Sequence, residues 1–467
     1  MLVGVEDIEE LEKTKPTPLP SWLKITEAGK KVVDYPALGR EILQDTPLVI
    51  TPGILSGAVY NGYYWERING DKELKIRLNQ IINKKLSDLG VYSRNNLLSV
   101  REWVIGEAFN SREVFNQDKP YLIPFGNGTY NLKTDTMQEP DPQQYLMGGF
   151  SYKLDTSGKE PSTILNLIKY MVGDADQFLI EYIGYMFYRS YEPFNKFVIM
   201  QGEPGNGKST LNNSLITPLL ERGNISHLSL EDLTSSDSGA RFNTADLLGK
   251  YVNIYMDLKN VYIPNPDIMK NLTGGDEINA RFKGGNEFAL LNFATFLFAS
   301  NELPMLKDDG GIFSRALILP TIAPVVRDNP QEQRKRADLF PDDAIKKELP
   351  AFAYYALRAF KRAMDSGRLA ITPEMEKATQ DWRYSDPLSQ FLAEETVRLD
   401  DATQGISVTY FKERLADWFR ENNLTPPSPQ RLAKELERRG FKRRKTRNGP
   451  DLNGRLVWRF MGLDMMN

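Results

Sequence analysis

The stretch GEPGNGKST, Gly202 to Thr210, sits one glutamine after the apolar run Phe197 to Met200. It is followed by TLNNSLITPLLE, whose apolar residues recur at helical spacing. Few short stretches restrict a fold so tightly. Gly202, Gly207, Lys208 and Ser209 satisfy G-x-x-x-x-G-K-[ST], and Gly205 adds another glycine inside the loop. At ordinary residue frequencies such a set arises by accident in on the order of one chain in a thousand of this length. A buried strand, a glycine loop and a helix start together make a phosphate cradle. The glycines let backbone N–H groups approach the phosphates, and the helix N-terminus adds positive potential. ATP is therefore the expected ligand, held by Gly202, Glu203, Pro204, Gly205, Asn206, Gly207, Lys208, Ser209 and Thr210. Lys208 is expected to reach the β- and γ-phosphates, and the Ser209 hydroxyl to ligate Mg²⁺.

At 467 residues the chain is too long for one core, and about three domains are expected. It has no cysteine, which removes disulfides, thiolate catalysis and thiolate zinc sites and fits a reducing cytoplasm. With His227 as the one histidine, any metal should be a hard, oxygen-ligated ion such as Mg²⁺. No apolar run reaches membrane-spanning length, and the start MLVGVEDIEELEK is acidic where an export signal would be basic. A cytoplasmic protein without a membrane partner is expected. The net charge of −3 hides a local excess: from Arg431 to Arg447 nine basic residues face two acids. Such density beside a helix is either a solvated face or a nucleic-acid contact.

The pattern reads as α/β throughout the middle of the chain. Residues 1–44 are charged and proline-punctuated, as in a loose arm, and 45–160 mix short strands and helices. Residues 161–194 form a helical collar, 195–325 alternate strand and helix signals, and 326–384 form a helical extension ending in a polar connection near 370–386. From 385 to 467 two amphipathic helices precede two strand-like runs around a basic loop, the pattern of a winged helix-turn-helix. Arg443, Arg444 and Lys445 are its candidate contacts to duplex DNA phosphates.

A phosphate-loop enzyme needs an acid at the end of a neighbouring strand to hold Mg²⁺ and poise water. LLGKYVNIYMDLKN supplies a strand ending in Asp257. ALLNFATFLFASN is a second core strand closing on Asn301, which is either a strand cap or a polar group of the phosphate site. Between them DEINARFKGGNEF reads as a hairpin, with Arg281 and Lys283 suited to a nucleic-acid backbone or simply to solvent. Arg315 precedes the strand in GIFSRALILP. A lone arginine there is ordinarily a surface residue, and it reaches a γ-phosphate only across the interface of an oligomer.

Taken together, GEPGNGKST, the strand with Asp257, TGGDEINARFKG, LFASNELP and GIFSRALILP resemble the superfamily 3 helicases. The resemblance is to the phage, plasmid and mobile-island primase-helicases related to the poxvirus primase-helicase, and covers about 45–463. It implies an AAA+-like core in a homo-oligomeric ring, a hexamer, that pulls single-stranded DNA through a central channel. Within it Gly202 to Thr210 match the Walker A loop, Asp257 the Walker B strand, Lys283 the channel hairpin, Asn301 the sensor of the attacking water and Arg315 the trans-acting finger. Two features depart from the pattern: Met256 stands where relatives commonly carry a second acid, and Ser314 where they often carry a second basic residue. No segment resembles a primase catalytic domain, so a separate primase or other replisome protein is an expected partner.

The expected function is an ATP-dependent replicative DNA helicase of a phage or mobile element that also binds origin DNA. The rival expectation, motivated by Met256, is a nucleotide-gated DNA-binding scaffold with little turnover. A small-molecule phosphate-loop kinase would leave the hairpin and the basic terminal domain unexplained.

Overall fold

The computed structural model describes residues 19–51, 57–68, 70–111, 114–115, 119–235, 238–263, 266–282, 287–306, 311–326, 329–383, 387–401, 403–422, 424, 426–447 and 456–466. Lys283 and its flanking glycines Gly284 and Gly285 lie outside these residues. The chain forms two compact units, Met1–Leu154 with Gly284–Phe288, and Asp155–Lys283 with Ala289–Asn467. Among the described residues no helix is long and apolar enough to cross a membrane.

In the first unit, helices Tyr35–Asp45, Asp71–Asp88 and Arg94–Glu107 pack with a three-stranded antiparallel sheet. The helix Asp71–Asp88 buries Leu74, Leu78, Ile82 and Leu86, one residue per turn. Gly39 lets two helices touch: a Cβ there would lie 2.1 Å from the Trp103 ring. A second small sheet, Leu122–Phe125, Gly128–Asn131 and Thr136–Gln138, turns through Gly126 and Asn127. Residues 19–44, expected within a loose arm, are instead part of the core. Trp22, Leu38 and Ile42 are buried, and Asp34 caps its helix by accepting from the Ala37 N–H. Of the prolines that suggested looseness, Pro16 and Pro18 precede this segment, the Pro20 carbonyl accepts from the Leu23 N–H at 3.0 Å, and Pro36 stands at a helix start, where a missing N–H costs nothing.

The second unit is a mixed α/β layer around a five-stranded sheet. Helices α1 (Ser162–Val172) and α2 (Asp176–Tyr185) lead into strand β1 (Phe197–Gln201). The others are β2 (Ile225–Ser226), β3 (Val252–Leu258), β6 (Thr295–Ser300) and β7 (Ala316–Pro320), in the order β2-β3-β6-β1-β7 and all parallel. Strands buried on both faces read as apolar runs, and Phe197 to Met200 are fully buried. Helix α4 (Asp267–Gly274) precedes strand β4 (Glu277–Arg281), which pairs in a two-stranded sheet with β5 (Glu287–Leu291).

After the sheet come α5 (Pro330–Leu339), the long α6 (Asp342–Ser366) and α7 (Pro373–Arg383). Gly184 admits α6 to α2 closely, since a Cβ there would meet the Ala356 carbonyl at 2.2 Å. Gly367 stops α6 in the left-handed conformation. The polar connection expected near 370–386 is largely α7. Its Met375, Thr379 and Trp382 are buried, Thr379 accepts from the Ile318 N–H at 2.9 Å, and Trp382 donates to the Pro304 carbonyl at 2.6 Å. Towards the C-terminus α8 (Val408–Glu421) and α9 (Pro429–Arg438) share a separate core with Phe391 and Phe460. They adjoin a sheet ordered β8 (Gly405–Ser407), β10 (Val457–Met461), β9 (Arg443–Thr446).

Because Trp382 also stands edge-on to Phe313 at 5.0 Å, Trp382→Ala removes a buried ring and a hydrogen bond together. The expected loss is about 3–5 kcal/mol, read as a lower urea midpoint for the second unit. A midpoint unchanged within error would show that α7 is not a buttress of the sheet.

Candidate functional site

The carboxyl ends of β1, β3 and β6 converge on one cavity. Parallel sheets present their ligand sites at this edge. Between β1 and the helix α3 (Lys208–Leu211) the chain turns through Gly205 and Gly207, at φ 87° and 106°, values that disfavour any side chain. Gly202 has no room for one either, since a Cβ there would lie 2.0 Å from Thr321 Oγ1 and 2.3 Å from Asn206 Nδ2.

Lys208 is the charge at the centre. It is 6% exposed, and its Nζ donates to the Gly202 carbonyl (2.6 Å), the Glu203 carbonyl (3.1 Å), Asn206 Oδ1 (3.2 Å) and Asn301 Oδ1 (3.1 Å). Burial lowers its pKa from the ordinary lysine value, because neutral oxygens offset only part of the lost hydration. An anion in the loop would reverse that shift. The loop is also tied from outside: Asn206 donates to Thr321 Oγ1 at 2.5 Å, and the Val326 N–H donates to the Gly205 carbonyl at 3.2 Å.

The cavity, about 770 Å³, is lined by Pro204 to Thr210, Tyr255, Met256, Asp257, Asn301, Val326, Gln333 and Arg336. It thus unites Lys208, Ser209, Asp257 and Asn301, residues scattered over about a hundred positions of sequence. Asp257 arrives there through a bulge. Tyr255 pairs with Phe298 but Leu258 with Ser300, so Met256 and Asp257 together oppose Ala299, and both border the cavity. Among the described residues no cluster of three histidine, cysteine or carboxylate ligands occurs. A hydroxyl, one carboxylate and a polyphosphate form the oxygen set that Mg²⁺ accepts with its remaining waters, so Ser209 and Asp257 fit that ion.

Other expected residues stand apart. Arg315 lies at the opposite edge of the sheet, its carbonyl accepting from the Phe197 N–H at 2.9 Å. Its side chain donates to the Lys270 carbonyl and, at 3.1 Å, to Thr273 Oγ1. Arg281 is exposed, with its guanidinium 5.6 Å from the centre of the Phe242 ring. Arg443, Arg444 and Lys445 are exposed on β9, and Arg443 stacks on Trp458 at 4.6 Å. Sequence reasoning missed Arg336 and Gln333. They belong to PQEQRKRADL, a charged helix in which no local pattern marks one arginine as buried.

The Gly202 geometry gives a test with its own control. Gly202→Ala forces Thr321 and Asn206 apart and should weaken nucleotide binding at least about tenfold, with the helical circular dichroism signal unchanged. Gly223→Ala, where a Cβ meets nothing within 4 Å, should leave binding intact. Equal affinities for the two variants would refute a steric role for Gly202.

Comparison with known proteins gives partial matches. Residues 38–168 match the family described as D5 N terminal like, and residues 200–315 match a family of unknown function, DUF5906. A protein of Acanthamoeba polyphaga mimivirus described as "Putative helicase L207/L206" is 25% identical over 320 residues. The match covers 65% of this chain and 33% of that protein, so the chain spans about a third of its length. Two apo structures of the NrS-1 C-terminal region are similar at 14% identity and a TM-score of 0.46, covering 86% of this chain and 84% and 86% of theirs.

Proposed function

We propose that the chain is an ATP-dependent DNA helicase of a viral or mobile-element replication system, working as a homo-oligomeric ring, a hexamer, inside the host cytoplasm. One observation carries the motor half of this reading: Lys208, Ser209, Asp257 and Asn301 border a single cavity at the carboxyl edge of a parallel sheet. The similarity to a viral protein described as a helicase supports the DNA half.

In this reading ATP lies along the loop with its phosphates over the α3 N-terminus. Ser209 and Asp257 would hold Mg²⁺, which neutralises charge on the β- and γ-phosphates. Lys208 leaves the carbonyls of Gly202 and Glu203 for the phosphates. Asn301, already within 3.1 Å of Lys208 Nζ, orients the attacking water. Arg315 stands roughly 20 Å from the loop, at about 3.3 Å per residue along β7, and so serves a neighbouring subunit's site. Arg281 and Lys283 contact single-stranded DNA in the channel. Arg443, Arg444 and Lys445 grip origin duplex from a winged helix-turn-helix, and a separate primase supplies primers.

Met256 favours a second reading. It occupies the cavity wall beside Asp257, where a second acid would help poise water, and without one the protein would be a nucleotide-gated scaffold. ATP hydrolysis with and without single-stranded DNA separates the two. The motor reading expects DNA-stimulated turnover that Lys208→Ala abolishes. Tight ATP binding by a wild type that hydrolyses no faster than Lys208→Ala would transfer the assignment to the scaffold.

The duplex contact has its own measurement in the full chain. Replacing Arg443, Arg444 and Lys445 by alanine should weaken duplex binding equally for all sequences. It should also reduce the salt slope by about one per lost phosphate contact. An unchanged slope would move duplex binding away from β9.

A further inference from the structure

We propose that Arg336 is a second phosphate-binding residue of the loop, acting on the α- and β-phosphates of the bound nucleotide. The inference rests on the nucleotide reading above and adds to it a residue that the resemblance does not mark.

The first observation is burial without full pairing. Arg336 is 8% exposed. Its Nη2 donates to the Pro324 carbonyl at 2.6 Å, the guanidinium lies 5.6 Å from the centre of the Tyr170 ring, and Nε has no hydrogen-bond partner among the described residues. A buried guanidinium held by one carbonyl and an aromatic face is costly, because desolvation of a charge requires an opposite charge to offset it. The second observation is position. The side chain lines the loop cavity, and a Cβ built on Gly207 would lie 2.5 Å from Arg336 Nη1. The guanidinium therefore abuts the last loop residue before α3, the part of such a loop whose N–H groups cradle the α- and β-phosphates. Among the described residues it gives the cavity, with Lys208, two buried cations, and Asp257 is the one carboxylate that lines it. A polyphosphate is the ligand that balances this charge, and a planar fork suits phosphate oxygens.

The proposed division of labour makes a distinctive demand. A group acting on the α- and β-phosphates must support ADP and ATP alike, whereas Asn301 acts only toward the γ-phosphate and Lys208 spans the β- and γ-phosphates. Binding of ADP and of a non-hydrolysable ATP analogue, both with Mg²⁺, is measured on the full chain by calorimetry. Arg336→Met keeps the stem and removes the charge, and should weaken both ligands by a similar factor, about tenfold or more. Arg336→Gln, neutral but still able to donate to Pro324, should do the same and serves where the methionine variant does not fold. Arg336→Lys should restore most of the affinity. Neutral variants that bind both nucleotides as the wild type does would overturn the proposal and make the arginine a packing element. Loss confined to the ATP analogue would also overturn it. A wild type that binds neither nucleotide would refute the underlying nucleotide reading instead.

Discussion

The buried ammonium of Lys208 is the interaction on which the second unit's site depends. An unpaired buried charge is among the costliest groups in a protein, and here its four oxygen partners come from the loop carbonyls, Asn206 and Asn301. Satisfying it therefore sets the loop's curvature, the register of β1 against β6 and the exit of the chain after Ser300. The parallel pairing of Leu297 to Ser300 with Val198 to Gln201 brings Asn301 level with Gly202. A slip of that pairing by one residue would carry Asn301 away from the lysine and move every side chain of the slipped strand to the sheet's other face. Site and sheet are thus specified by the same register.

The loop is held from its outer side by the chain after β7. Thr321 receives Asn206, Val326 donates to Gly205, and Arg336 abuts Gly207. The same stretch returns to α1, where the Ile322 N–H donates to the Met171 carbonyl at 2.9 Å. Loops that bind polyphosphate must present their N–H groups in one conformation before the ligand arrives, since ordering them afterwards would subtract from affinity. Glycine supplies the required backbone angles at Gly205 and Gly207, and Thr321, Val326 and Arg336 supply the contacts that hold the loop in place.

What could be read from the residues follows from where the physics is local. The loop, the strand before it and the stop of α6 at Gly367 rest on backbone angles and apolar runs, which a short window contains. Residues 19–44 and α7 were misread because polar and proline content dominates their windows. Their burial rests on a few large side chains, Trp22 in one and Trp382 in the other, packed on distant elements. Arg336 was invisible for a similar reason: Arg334, Lys335 and Arg336 are equivalent by composition, and packing against Tyr170 and Gly207 alone separates them. The bulge at Met256 and Asp257 was equally hidden, because it is a property of β3 pairing with β6 rather than of β3.

That bulge bears directly on the motor reading, in which a water would have to be poised for hydrolysis. It turns both Met256 and Asp257 toward the loop cavity, so an acid at position 256 would have stood beside Asp257 and shared its work. A thioether there accepts no proton. Two further carboxylates border an adjoining cavity of about 630 Å³ that shares Pro204 and Asn301 with the first. Its acids are Glu203 and Glu302. Glu302 accepts from Asn260 at 3.3 Å, a bond that holds it toward the end of β3. Glu203 is exposed on the loop itself, directly after Gly202, whose carbonyl holds Lys208. A nucleotide that draws Lys208 forward would release the carbonyls of Gly202 and Glu203 together. Any reshaping of the loop then moves the Glu203 carboxylate with the phosphates rather than independently of them. On this geometry the motor reading asks either Asp257 to serve both magnesium and water or Glu203 to stand in for the acid that Met256 does not supply, and the scaffold reading asks for neither.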